Sequence, residues 1–521
     1  MNILSRFAAG AVAVLTASSI FAGTTVLRAA AAETKQELIG YYGDISGDLE
    51  VDWLDIFLME DFLLYGTEED EVLWQYADLD DSNSVDARDL TLLMQLVLNG
   101  EKGTADYREV PFTEELIPPP IQALSPTMPS VGEARVLMVA VDFPECEHDA
   151  KYTAEYLQEM CFGAENPQSP WYPVESISAY YKRASYDRLN LTGTTYTYTA
   201  SHYCDYYAGK AELLMVEVLG ALDRQIDYRE FDVNNNGTLD TLLLALPKGA
   251  VGRDANKDGT QDWWPCSGSY YTSSKFDGIK PGNLCIGAWD LEDVPGFNST
   301  WIHELGHAMG LPDYYKYVNN EDGYYGLEGH AGWEMMDDAY CDMSSFSKLM
   351  YGWFKEDEVQ IYTGGTQTFT LESLQKTPSC ILIPRGDLDG FYSEYFMIEF
   401  NSVEGNDTAW FAGGKSYTPF WRGGVRVLHC NAELWNGYWG IELKWNNYGQ
   451  MYDTSNQKQR VLRLVNNNHD FFRNDAVIDS SIDGFAWYDD KGDRTIDPGL
   501  TIRVSDFVDG SGCTITISEN A

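Results

Sequence analysis

The stretch Trp301-Ile302-His303-Glu304-Leu305-Gly306-His307-Ala308-Met309-Gly310-Leu311-Pro312-Asp313 decides how the rest of the chain is read. It has the form H-E-x-x-H-x-x-G-x-x-D. On an α-helix His303 and His307 stand one turn apart on one face, so both imidazoles can point at a single ion. Glu304 lies beside that face and can take a proton from an activated water without ligating the ion itself. Gly310 has access to backbone angles closed to other residues, so the helix can stop there and the chain can turn back. Pro312 stiffens the return, and Asp313 is then placed to act as a third ligand. Two imidazoles and a carboxylate leave one position open, which is how catalytic zinc differs from structural zinc.

A bare H-E-x-x-H also occurs on ordinary helices. The added Gly and Asp extend it toward the metzincin signature, with Asp where the third His usually stands. Downstream, Gly332-Trp333-Glu334-Met335-Met336 looks like the Met-turn of that clan, with Met336 beneath the metal. Taken alone, Met335 and Met336 would read as core filler. With Lys348-Leu349-Met350-Tyr351-Gly352-Trp353 added, these segments resemble the immune inhibitor A family of secreted bacterial metallopeptidases. Further pieces match in order: RVLMVAVDFP (135–144), SISAYYKRASYDRLNLTGT (176–194), SEYFMIEFN (393–401) and GGVRVLHCN (423–431). The resemblance spans roughly 130 to 520. It departs at Glu334, where the family often has Asp, and at Tyr314-Tyr315, where Leu-Tyr is usual. It implies an α+β, metzincin-like zinc peptidase domain with a mixed sheet and an active-site helix. Zinc would be held by His303, His307 and Asp313, with Glu304 as general base and proteins or peptides as substrates.

The chain has 521 residues, enough for two or three domains. Its hydrophobic and aromatic contents, 44% and 14%, are those of a globular protein. A net charge of −46 argues against nucleic acid and anionic membranes as partners, since phosphates would be repelled. Residues 1–32 read as an export signal: Arg6 in a thin n-region, an apolar run from Phe7 to Ala22, and a cleavage site at Ala30-Ala31-Ala32. Retention of that run as a membrane anchor is the alternative. With the signal removed, the expectation is a secreted, extracellular protein with no membrane association. The nine cysteines include no C-x-x-C pair, so spacing identifies no disulfide.

An internal repeat precedes the catalytic signature. DISGDLEVDWLD (44–55) and DLDDSNSVDARD (78–89) carry oxygen ligands at EF-hand positions 1, 3, 5, 9 and 12. In the first copy these are Asp44, Ser46, Asp48, Asp52 and Asp55. In the second they are Asp78, Asp80, Ser82, Asp86 and Asp89. Each loop runs into an amphipathic helix, and two such copies about thirty residues apart resemble a dockerin. The resemblance implies a small all-α, calcium-binding module at 40–100 that docks onto a cohesin of a scaffold, as in a cellulosome. The docking residues near positions 10 and 11 would be Trp53 and Leu54 in one copy, Ala87 and Arg88 in the other. Because these pairs differ, two symmetry-related binding modes are not expected. Position 6 is Leu49 in the first loop, where a left-handed turn costs a non-glycine residue about 1–2 kcal/mol; Asn83 in the second tolerates it better. The competing reading is a private calcium-stabilised lobe of the enzyme.

Residues 101–133 form a Pro-rich linker, whose prolines favour an extended spacer. The catalytic domain is expected at 134–360 and a β-rich portion at 361–521, either completing that domain or separate from it. Two more Asx-rich loops suggest calcium: Asp232, Asn234, Asn236 and Asp240, then Asp254, Asn256, Asp258 and Asp262. A plain Asx turn before a strand is the simpler reading of each. Rival ligand sets are His330 as third ligand, or Glu328 or Glu334 in a gluzincin-type site, and Tyr340 is a candidate accessory tyrosine. A non-catalytic, dockerin-borne binding or structural component is the alternative from another class, opposed by the intact Glu304.

Overall fold

The computed structural model describes residues 34–46, 51–65, 76–111 (apart from 81, 83, 101 and 102), 126–250, 263–315 (apart from 264, 270 and 271), 334–337, 340–386, 390–408, 411–412, 415–416, 422–437, 440–445, 460–465, 471–489 and 495–520. The export signal, Asp48, Leu49, Asn83, the loop 254–262, Glu328 and His330 lie outside these residues. The chain divides into two compact units, Met1–Phe112 and Thr113–Ala521. No helix among the described residues is long and apolar enough to cross a membrane.

In the first unit, helices α1 (Trp53–Tyr65) and α2 (Ala87–Asn99) each follow one copy of the repeat. They enclose a small core of Ile45, Ile56, Met59, Tyr76, Ala77 and Leu93. A two-stranded antiparallel ribbon accompanies them, made by β1 (Thr34–Tyr41) and β2 (Ala105–Pro111). The ribbon flanks the 40–100 module expected to be all-α, so the unit as a whole is not purely helical. The ribbon also occupies the front of the predicted linker, up to its first proline, Pro111. Alternation in TKQELIGY is weak, and its partner lies some seventy residues on, so local pattern could not reveal the pairing.

The second unit is built on a five-stranded sheet of order β4-β3-β5-β7-β6. Its members are β3 (Gly132–Asp142), β4 (Leu189–Thr199), β5 (Thr241–Pro247), β6 (Cys266–Ser269) and β7 (Asn283–Trp289). All neighbours pair in parallel except β6 with β7, so the sheet is mixed. The continuous apolar run in β3 reflects burial on both faces. Val136, Met138 and Ala140 join one core, while Leu137, Val139 and Val141 join the other. Helices α3 (Ala154–Phe162), α4 (Ile177–Ala184) and α6 (Val294–Ala308) contribute to the first core; α5 (Ala211–Leu222) fills the second.

The segment from 359 onward forms two antiparallel-rich sheets. One holds strands at 359–361, 380–384, 394–401, 424–431 and 462–464; the other holds 366–372, 477–478, 500–508 and 512–519. Ile381, Phe396, Ile398 and Val427 of the first face Ile502, Val504, Ile515 and Ile517 of the second in a common core. The opposite face of the first sheet sends Leu382, Met397 and Leu428 into the same core as Trp301 and Leu305 of α6. The β-rich portion thus completes the unit that carries the signature helix.

Candidate metal centre and calcium loops

Helix α6 starts at an Asp293 cap whose side chain accepts from the Gly296 N–H, with Pro295 in the first turn where a missing N–H costs nothing. Its buried side is fixed by directed hydrogen bonds. Asn298 Nδ2 donates to the carbonyls of Met160 (3.1 Å) and Val174 (3.0 Å). Tyr181 Oη donates to Ile302 O at 2.5 Å and Tyr351 Oη to Gly306 O at 2.8 Å. The helix ends as Gly310 adopts a φ of 105° and the Leu311 N–H returns to Gly306 O at 3.1 Å. That reversal brings Asp313 back over the last turn.

The outcome is a convergence of three groups. Ligand atoms of His303, His307 and Asp313 lie within 4.8 Å of one another. Asp313 Oδ1 is 2.9 Å from His303 Nε2 and 3.3 Å from His307 Nε2. The imidazole planes are nearly perpendicular, at 89°. Each Nδ1 faces a backbone carbonyl: Met335 O at 3.0 Å for His303 and Leu311 O at 2.8 Å for His307. A carbonyl only accepts, so both Nδ1 atoms carry protons and both Nε2 atoms are the ones turned to Asp313. Metal-binding histidines are oriented in the same way by their second nitrogen. The N, N, O donor set and this tautomer fit a zinc ion with an open position.

The three groups are strongly coupled electrostatically. Burial alone would lower the His303 pKa, but the hydrogen bond and charge of Asp313 raise it to about 10. Asp313 is opposed by burial yet held well below the usual carboxylate range by the two histidines. Burial raises the pKa of Glu304, with His303 and His307 pulling the other way. Glu304 is 6% exposed and lies outside the three-atom cluster.

The methionine segment lies against the helix. Tyr314 N donates to Met336 O at 2.9 Å, so the returning chain and His303 are tied to consecutive carbonyls, Met336 and Met335. A Cβ on Gly306 would sit 2.5 Å from Met336 Sδ, so any other residue there would force the methionine side chain to shift. Glu334 is fully buried. It accepts from the Met336 N–H at 2.5 Å, the Ser344 N–H at 3.2 Å and the Ser347 hydroxyl at 2.5 Å. It braces this turn and does not join the His–His–Asp cluster. Tyr340 packs half-buried against the core. The carbonyls of Leu311 and Met335 and the phenols of Tyr181 and Tyr351 were missed from sequence. Backbone acceptors carry no side-chain signal, although both tyrosines lie in segments that carried the family resemblance.

In the repeat, both closing aspartates do the same work. Asp55 Oδ1 accepts from Ile45 N (3.0 Å) and Ser46 N (2.9 Å), and Oδ2 from Asp52 N (2.8 Å). Asp89 reproduces this on Leu79 N (2.8 Å), Asp80 N (3.2 Å) and Asp86 N (2.8 Å). Ligand atoms of Asp78, Asp80 and Asp89 lie within 4.8 Å of one another. Ser82 N donates to Asp78 Oδ1 (3.0 Å) and Asp80 Oδ1 (3.1 Å), closing the second loop around them. Asp44 is buried, and the Ser46 hydroxyl donates to it at 3.4 Å. Trp53 and Leu54 are about half exposed, at 54% and 49%, and Ala87 and Arg88 are exposed too.

In the second unit, Asp232 accepts from Asn236 N (2.9 Å) and Gly237 N (2.9 Å), and Asn234 Oδ1 from Asn236 N (3.1 Å). Asp240 accepts from Val233 N at 3.3 Å through Oδ2, while its buried Oδ1 has no partner. Burial, with Asp232 nearby, raises the Asp240 pKa to about 7.

Among solved structures, catalytically inactive OgpA from Akkermansia muciniphila, in complex with the O-glycopeptide glycodrosocin, is 11% identical; the match covers 58% of this chain and 91% of that one. Its TM-score of 0.20 lends no weight to any assignment. No curated protein matches the chain. The dockerin type I domain family matches residues 42–98, the span of both calcium loops and both helices. Dockerins bind calcium and pair with a cohesin on a scaffold protein, and proteins that carry them are typically extracellular or attached to the cell surface. The front of this chain is a dockerin type I module.

Proposed function

We propose that the second unit is a zinc-dependent endopeptidase, delivered to a cohesin-bearing scaffold by the dockerin. The convergence of His303 Nε2, His307 Nε2 and Asp313 Oδ1 beside a buried carboxylate, Glu304, carries this reading. The resemblance of the surrounding segments to immune inhibitor A peptidases supports it. A zinc ion on these three residues would supply Lewis acidity and make a water acidic near neutral pH. Glu304, its pKa raised by burial, is suited to accept the proton of the attacking water and pass it to the leaving amine. The carbonyls of Met335 and Leu311 keep both imidazoles in one tautomer through the cycle. Tyr181 and Tyr351 hold the helix backbone so that the two rings keep their separation.

A gluzincin arrangement through Glu334 is disfavoured, because that carboxylate is already satisfied by two N–H groups and a hydroxyl. The non-catalytic alternative would leave a buried Glu304 beside the cluster without use. Casein and gelatin cleavage by zinc-loaded protein, with Asp313→Ala losing both zinc and activity, is the expected result. Zinc retention by Asp313→Ala together with its loss in Glu334→Ala would favour the gluzincin arrangement. Absence of cleavage by zinc-loaded wild type would favour the binding component.

A further inference from the structure

A second group of ligating side chains lies away from α6. Cys146, Cys204 and the carboxylate of Glu145 present atoms within 4.8 Å of one another. Cys146 sits in a tight turn just past β3, where Phe143 and Cys146 exchange backbone hydrogen bonds of 2.8 and 3.1 Å. Cys204 is buried in a single helical turn, Cys204–Tyr206, just past β4. The two strands are parallel neighbours across their whole length, so both cysteines emerge from the same end of the sheet. Glu145 Oε1 accepts from the Cys204 N–H at 2.7 Å and ties one segment to the other before any covalent bond forms. On the other side of Cys146 lies Gly249, where an added Cβ would come within 2.7 Å of the Cys146 Cβ, so the turn has little room to back away.

We propose that Cys146 and Cys204 are a disulfide-forming pair that staples the ends of β3 and β4. The inference is independent of the peptidase reading. Their sulfurs lie within 4.8 Å of one another, and a disulfide closes that separation to about 2 Å. The co-reactant is a small external disulfide, such as oxidised glutathione. One cysteine thiolate attacks it, forming a mixed disulfide and expelling one small thiolate. The second cysteine thiolate then attacks the protein sulfur of that mixed disulfide and expels the other. The two cysteines lose two electrons and two protons, and the external disulfide gains them as two thiols. A closed metal site is the weaker reading, since structural zinc takes four ligands and this cluster offers three, one already engaged with a backbone N–H.

The test is peptide mapping of the full chain, without reduction, after incubation with oxidised glutathione in the presence of a chelator. The expected result is a cross-linked peptide pair containing Cys146 and Cys204, lost in both Cys146→Ser and Cys204→Ser. Oxidised wild type should also melt roughly 2–5 °C above its reduced form, with no such gap in either variant. Cys513→Ser serves as a control that should keep both the cross-link and the gap. Stable glutathione adducts at either position, pairing of Cys146 with another cysteine, or two unmodified thiols would overturn the proposal. So would a tightly bound transition metal in untreated protein that Cys146→Ser and Cys204→Ser lose while Asp313→Ala retains it.

Discussion

At the scale of single residues, His303, His307 and Asp313 form an ion-paired cluster, and a zinc ion held there as proposed would have to displace its protons. The pKa of His303 is raised to about 10 mainly by Asp313 acting against burial, and that of His307 is raised as well. Because the folded value for His303 exceeds the ordinary 6.5, its contribution to stability is complete below that pH and fades as pH climbs through about 10. Asp313 has the opposite sign: its contribution is present above the ordinary 3.8 and disappears only in stronger acid. The apo protein should therefore hold its shape at neutral pH. Zinc binding at pH 7 should release at least one proton, because His303, protonated at that pH, must bind as a neutral ligand. Calorimetric titration in buffers of different ionisation enthalpy reads that number, and a value near zero would contradict the assignment of His303.

At the scale of elements, α6 works because glycine stands where a methionine passes. Gly306→Ala forces a Cβ against Met336 Sδ at 2.5 Å and should cost about 1–3 kcal/mol in chemical denaturation, with weaker zinc retention. An unchanged midpoint would mean that the methionine turn yields freely. The loop ahead of β5 makes a separate prediction. Asp240 has its pKa raised from 3.8 to about 7, so without calcium its contribution is greatest below 3.8 and is lost as pH rises through 7. In chelator at pH 8, Asp240→Asn should then be more stable than wild type, and calcium should reverse the order. Identical melting curves with and without calcium would leave that loop a plain Asx turn. The helix signature was legible in the sequence because helical spacing is local: His303 and His307, four residues apart in number, become neighbours in space. The role of Glu334 was not, since nothing in its spacing tells a ligand from a carboxylate saturated by Ser344 and Ser347, 10 and 13 residues on. The same holds for the ribbon of β1 and β2, whose strands pair across the whole intervening module.

At the scale of the whole molecule, the chain joins a dockerin module to a unit that carries the proposed zinc site. The β-rich portion was readable as strands, but not as the floor of the helix core. That depended on which face of the sheet Met397 and Leu428 present, a consequence of register with distant partners. In the dockerin, the two copies share their calcium-loop bonding but differ outside it. Trp53 and Leu54 offer a broad apolar surface, whereas Ala87 and Arg88 do not. Double substitution of Trp53 and Leu54 by Ala should weaken cohesin binding by roughly tenfold or more, and by more than Arg88→Ala. Equal losses would indicate that both faces dock. The proposed zinc chemistry is tested most directly by one comparison: zinc content and casein cleavage, measured side by side on wild type and Glu304→Ala. The expected result is about one zinc per chain in both, with cleavage reduced roughly 10²–10⁴-fold in the variant. Zinc-free wild type, or a variant that cleaves as well as its parent, would contradict it.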